Sequence, residues 1–351
     1  MRTESFDTLF KALRKGEVPG SLYLHGPEDV LKEEVVAEVL DRAVDPSLRD
    51  FNYDQRSAAS LDSEQAETLC TTLPMMADRR VVVIRDIEAW NKRAKAKAAV
   101  IRYLERPAAE TILVLVQGST EEDVDADLAA KTLSVRMDPL PSDRAQRWLL
   151  RRAEQLGVVL EESAAEHLVK VTGGSLSEIR SELDKLAGLG GGAPLTLDRV
   201  ADLLGIRHGE TQADWRDLVL LGEVGRAVTI LPHLLAQTGV SGVGLVSTLA
   251  PAVTGIGLAR SLYDRGTRGG PLANAVKQAL FRIRPPHRFG YDQAASLWAR
   301  VAPAWPAARV EAAFAALRRA DERLKNTAVS DERAILFDLC MELALPWQRA
   351  A

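Results

Sequence analysis

Gly26, Lys32 and Glu33 are the residues of this 351-residue chain whose types and spacing come nearest to phosphate chemistry. They follow a short apolar run, Ser21-Leu22-Tyr23-Leu24, and open an amphipathic stretch, which is where a phosphate-binding loop belongs. The pattern G-x-x-x-x-G-K-[ST] uses glycines so that backbone N–H groups approach phosphate oxygens, and a hydroxyl to ligate magnesium. Here Leu31 stands where the second glycine should be, Lys32 falls on the lysine position, and Glu33 replaces the hydroxyl residue. Glu28, Asp29, Glu33 and Glu34 put negative charge at a helix N-terminus, where the dipole would otherwise attract phosphate. The residues read as a retained turn with lost chemistry, and an active NTPase with a variant loop is the alternative. Further on, Arg85-Asp86-Ile87-Glu88 only loosely resembles a magnesium-binding acidic pair.

A second stretch, Ser60 to Ile84, carries a different chemistry. Asp62 and Gln65 suit a capping box, and Ala66, Leu69, Cys70 and Leu73 recur at helical spacing until Pro74 stops the helix. Val81 to Ile84 is a continuous apolar run, the pattern of a strand buried on both faces. Between them Met75 and Met76 lead into the polar Ala77-Asp78-Arg79-Arg80. Two flexible thioethers at such a connection are either core filling or a wedge for a partner. Arg79 and Arg80 would meet an acidic partner surface or cap the strand's polar edge. Lys92, Arg93, Lys95 and Lys97, joined by Arg102, are either a solvated helix face or a phosphate contact without sequence preference. His25, His167, His208, His233 and His287 have no metal-ligand spacing and read as structural. No catalytic residue and no metal site is expected.

The elements that must position these residues follow from the remaining pattern. Net charge is -4, so any nucleic-acid contact must come from a local basic patch. Cys70 and Cys340, both in apolar helical patterns, suit a reducing compartment. With no apolar leader in the first residues and no uninterrupted apolar span of membrane length, a cytoplasmic location is expected. A helix is read at Ser5 to Arg14, strands at Ser21, Phe51-Asn52-Tyr53-Asp54, Val81, Thr111 to Val116 and Ser134 to Met137, with helices between. That alternation implies a parallel sheet covered on both faces. From Ser142 the pattern is helical only. Ser142 is read as a cap, Ser163/Glu166 and Ser175/Glu178 as capping boxes, and Gly188 to Pro194 as a flexible connection. Gly205 to Thr211 is read as a second boundary, and Gly266 to Pro271 and Arg284 to His287 as the main loops beyond it. Three domains result: 1–140 α/β, 141–208 a small helical bundle, and 209–351 all-α.

These features in this order resemble the delta subunit of the bacterial DNA polymerase III clamp loader, an AAA+-like family. The stretches that carry the resemblance are SLYLHGPEDVLKEE, FNYD, LPMMADRRVVVIRD, TILVLV, TGGSLSEIRSELDKL and ADERLKNTAVSDERAILFDLCMEL. The resemblance implies an AAA+-like α/β domain with a degenerate phosphate loop, a lid-like bundle and a collar. It implies a subunit that binds and opens the ring-shaped sliding clamp (beta) in DNA replication, without hydrolysing ATP and with no cofactor. Its partners would be that clamp, the tau/gamma and delta-prime subunits through the collar, and primer-template DNA, with no membrane. The assembly as a whole would be a DNA-directed DNA polymerase. Two apolar residues that insert into the clamp match Met75 and Met76, with Leu73 and Pro74 as their rim; the family often has Leu-Phe there. Gly174-Ser175-Leu176 is similar to the sensor of the hydrolysing subunits, but Ser177 stands where an arginine should come. The Ser-Arg-Cys motif of sister subunits is absent. Trp215, Trp298, Trp305 and Trp347 read as core, with one or two at subunit interfaces. An active NTPase and a scaffold subunit without clamp affinity stay open as alternatives.

Overall fold

The structure is a computed structural model that describes residues 3–92, 94–120, 123–188, 194–206, 209–283, 291–326 and 331–348. Two compact units divide the chain at Pro139 and Leu140.

In the first unit the elements alternate: β1 (Thr3–Ser5), α1 (Phe6–Arg14), β2 (Ser21–His25), α2 (Asp29–Ala43), α3 (Arg49–Asn52), β3 (Tyr53–Ser57), α4 (Ser63–Thr71), β4 (Arg80–Arg85), α5 (Ala94–Tyr103), β5 (Thr111–Val116), α6 (Ala126–Lys131) and β6 (Leu133–Arg136). The strands form one sheet in the order β1-β6-β2-β5-β4-β3, and every pairing is parallel. β5, all six residues buried, lies inside the sheet, and the run Val81 to Ile84 on β4 is wholly buried beside it. A strand covered on both faces needs apolar side chains on both, and each buried one stabilises the fold by roughly 1.5–3 kcal/mol. One face packs Tyr23, Val82, Ile84, Leu113 and Leu115 against Ala66 and Cys70 of α4 and Ala96, Ala99 and Val100 of α5. This is the parallel α/β architecture that the alternation of strands and helices implies for the first half.

Four local readings need correction. β1 is a sixth strand, made of polar residues that carry no apolar pattern. Phe51 and Asn52 end the short helix α3, so the strand expected there begins at Tyr53. α4 ends at Thr71 with Thr72 extended, which takes Leu73 off the buried stripe. The Asp62/Gln65 capping box is present, but the helix over 162–171 is capped from Glu161 without a side-chain bond, so Ser163/Glu166 is not a box.

The second unit is helical: α7 (Ser142–Gln155), α8 (Glu162–Val171), α9 (Leu176–Gly188), α10 (Leu197–Leu204), α11 (Gln212–Leu221), α12 (Val224–Leu235), α13 (Gly242–Asp264), α14 (Gly269–Ile283), α15 (Tyr291–Val301), α16 (Ala307–Lys325) and α17 (Glu332–Gln348). Ser142 is the first helical residue of α7 rather than its cap. α11 to α17 share one core, in which Trp215, Trp298 and Trp305 are fully buried, so none of these three is an interfacial residue. The side chain of Trp347, residues 189–193 of the connection, and the loop at Arg284 to His287 lie outside the described residues. α13 is, by length and composition, apolar enough to cross a membrane, contrary to the sequence reading. Its buried residues, Leu245, Leu249, Val253 and Ile256 among them, belong to this helical core.

Candidate functional site

Two turns of the first unit carry the residues singled out by chemistry, and they are built in opposite ways. The glycine turn joins β2 to α2. Gly26 has φ +97°, and a Cβ there would lie 2.6 Å from the carbonyl oxygen of Met137. The glycine is therefore required by close approach to the end of β6. The turn's polar backbone is spent on that neighbour: Met137 N–H donates to the His25 carbonyl at 2.8 Å, and Glu28 N–H to the Met137 carbonyl at 3.1 Å. Leu31 is buried in the core. Lys32 is 1% exposed, its Nζ donating to the Gln117 carbonyl at 2.7 Å and pairing with Asp29 Oδ1 at 2.7 Å. Beside it, Glu33 is half-buried.

His25 sits in the same closed turn, with Nε2 3.1 Å from Ser134 Oγ. Burial, aided by the Arg136 charge, lowers its pKa from 6.5 to about 4, so the ring is neutral near pH 7. Cys70 and Cys340 are buried thiols pushed up to about 12, chemically inert positions.

The turn between α4 and β4 opens outward instead. Leu73 is 66% exposed, Met75 54% and Met76 78%, with Pro74 half-buried between them. Three large apolar side chains exposed within four positions contradict a core-filling role for the methionines. Arg80 at the foot of β4 is buried and reaches back under the turn. Its guanidinium donates to the Thr72 carbonyl at 2.9 Å and to Asp54 Oδ2 at 2.5 Å. Arg80 is thus a strut at the strand's edge, closer to the capping alternative than to contact with an acidic partner surface. Arg79 is exposed.

The basic residues after β4 are not one patch. Lys97 pairs with Asp125 at 2.6 Å and Asp127 at 3.4 Å, which removes it as a free phosphate contact. Lys95 is exposed, whereas Arg93 and the side chain of Lys92 lie outside the described residues. In the second unit, Ser175 Oγ lies 3.1 Å from Ser177 Oγ and accepts the Glu178 N–H at 3.4 Å, a helix-start role for the sensor-like stretch. Among the described residues no cluster of His, Cys, Asp or Glu could hold a metal.

Two residues near the exposed turn escape sequence reasoning. Asn52, 0% exposed, bonds the main chain of Met75. Phe51, its neighbour, is a large exposed aromatic. A signal for Asn52 does exist in the sequence: an amide is disfavoured inside a strand, and one that is nevertheless buried needs partners.

The family model described as "DNA polymerase III, delta subunit" matches residues 22–134. The chain is 29% identical over 207 residues to the DNA polymerase III subunit delta of Bacillus subtilis, covering 56% of this chain and 60% of that protein. The chain is thus similar to DNA polymerase III delta subunits over its first unit. A second delta subunit, from Escherichia coli, is 29% identical over 131 residues, 36% of this chain and 38% of that protein. The matches thus span less than two thirds of the length of either relative. Among solved structures, the match to the Bacillus subtilis DNA clamp loader delta protein covers 97% of this chain and 99% of that one. Its TM-score is 0.60 at 21% identity, a shared fold. The family-matched segment contains both turns, the closed one at Gly26 and the open one at Met75.

Proposed function

We propose that this chain acts as the delta subunits it resembles, binding a ring-shaped sliding clamp through Met75 and Met76 and opening it without hydrolysing ATP. The observation that carries the reading is the outward pair of methionines on a turn anchored from below by Arg80. Leu73 and Pro74 rim the pair. Burying two methionine side chains in a groove supplies roughly 1.5–3 kcal/mol each, enough to make both binding hot spots. Met-Met in place of an aromatic anchor favours adaptability over rigidity. Insertion at a subunit interface distorts the ring, which then opens; ATP acts elsewhere in the assembly by exposing or hiding this surface.

The closed glycine turn supports the non-hydrolysing half of the reading. Lys32 pairs with Asp29 and donates to the Gln117 carbonyl rather than awaiting a phosphate. We further propose that 141–208 acts as a lid-like bundle and 209–351 as the collar against the tau/gamma and delta-prime subunits. Among the described side chains Arg79 and Lys95 serve clamp or primer-template contact, with Lys92 and Arg93 beside them in sequence, and the chain works in the cytoplasm.

Opening is tested with clamp rings closed on nicked circular DNA. The chain should release them, and Met75→Ala/Met76→Ala should not. Release by both proteins alike would move the contact elsewhere. Equilibrium dialysis with Mg-ATP addresses the NTPase alternative: micromolar binding with turnover would overturn the closed-turn argument. Failure of the wild-type chain to bind the clamp at all would favour the scaffold alternative.

A further inference from the structure

An exposed apolar pair on a slack loop loses ordering entropy when it binds, so a turn that presents one gains from being held beforehand. Here the hold comes from one buried side chain, 23 positions earlier in sequence. Asn52 Oδ1 accepts the Met75 N–H at 2.7 Å, and its Nδ2 donates to the Met75 carbonyl at 2.8 Å and to the Leu48 carbonyl at 3.1 Å. Rotating the amide would set Oδ1 against two carbonyl oxygens and Nδ2 against an N–H, so the partners permit one orientation only. Both main-chain groups of Met75 are thus satisfied by a side chain, as a neighbouring strand would satisfy them. Met76 follows at once with φ +53°, a conformation that a residue with a Cβ rarely adopts unless its surroundings hold it there.

The chemistry of the position favours asparagine over its relatives. Aspartate accepts the N–H but has no donor for either carbonyl, and glutamine's extra methylene would displace the turn. On the other side of the turn, the Arg80 bond to the Thr72 carbonyl fixes the entry. Leu73 and Pro74 span the interval between the two holds.

We propose that Asn52 is the positioning residue of the methionine turn, fixing the Met75 backbone and, through it, the left-handed Met76. The functional consequence rests on the clamp-binding reading, and the positioning itself is measurable without a clamp. Methyl-labelled methionine gives NMR signals for Met75 and Met76, assigned by single substitution, with the wholly buried Met137 as internal reference. In Asn52→Ala the Met75 and Met76 methyl signals should move to the position and sharpness of free methionine while Met137 stays. Affinity for the clamp, read by surface plasmon resonance, should fall roughly tenfold for two lost hydrogen bonds. Asn52→Ser, which puts one small neutral hydroxyl in place of the amide and adds no buried charge, should fall between wild type and Asn52→Ala in both readouts. It also keeps the test open where Asn52→Ala fails to fold by circular dichroism. Unchanged Met75 and Met76 signals in a folded Asn52 variant would overturn the proposal, whatever the clamp does. Shifted signals with equal clamp binding by wild type and Met75→Ala/Met76→Ala would uphold the positioning and sink the clamp reading alone.

Discussion

The turn at Gly26 and the turn at Met75 lie at two helix–strand junctions of one sheet, and they have opposite relations to solvent. The first is closed: Lys32 is buried on a carbonyl and a carboxylate, and the glycine exists to let Met137 approach. The second keeps its polar backbone satisfied from beneath, by Asn52 and Arg80, and turns its apolar side chains outward. In each, internal partners hold the backbone, so rigidity is common to both and only the outward face differs. A fold can thus close one site and present another without changing its sheet. What distinguishes the two turns is which apolar groups remain exposed.

Substitutions should separate the two turns by size and by sign of effect. Gly26→Ala puts a Cβ 2.6 Å from a backbone oxygen at φ +97°. It should cost about 3 kcal/mol in urea unfolding, and clamp affinity of the folded fraction should be unchanged. A pH titration probes the same turn through His25. Its folded pKa of about 4 lies below the unfolded 6.5, so the unfolded chain takes up the proton first as pH drops through that window. Stability should therefore fall between pH 6.5 and 4, by on the order of 2–3 kcal/mol. His25→Gln should lack that part of the slope, and an identical pH dependence in the variant would contradict the assignment. Lys32→Met removes the donor to the Gln117 carbonyl and should destabilise by about 2 kcal/mol. It should leave clamp binding intact, since the lysine faces inward. The smallest effect has the opposite sign. Met76→Gly relieves the left-handed residue and should raise stability by up to about 1 kcal/mol, while weakening clamp binding. A loss of both together would mean that Met76 packs in the fold rather than facing a partner.

Much of this contrast is legible in the sequence. The continuous apolar runs at Val81 and Thr111 announce strands buried on both faces, and the alternation with helices announces a parallel sheet. The failed phosphate pattern at Leu31 and Glu33 points to a turn without phosphate chemistry. What escapes is tertiary. β1 pairs through its backbone with β6 and needs no apolar side chains to do so. Helical spacing carries Leu73 onto the buried stripe although the helix ends at Thr71, because periodicity does not register where the backbone turns extended. Arg80 stays open in the sequence between a partner contact and a cap on the strand's edge, since nothing local to it reveals that Asp54 and the Thr72 carbonyl wait beneath. Asn52 reads as a strand residue for the same reason: its partner lies 23 positions away.

The central claim is that the open turn is a clamp-binding wedge. Surface plasmon resonance of the chain on its own sliding clamp, without nucleotide, tests it beside Met75→Ala/Met76→Ala. Two exposed methionines that become buried on binding should make the double variant weaker by about 30-fold to 1,000-fold, with circular dichroism unchanged. Equal affinity in both proteins would contradict the account and place the contact on another surface.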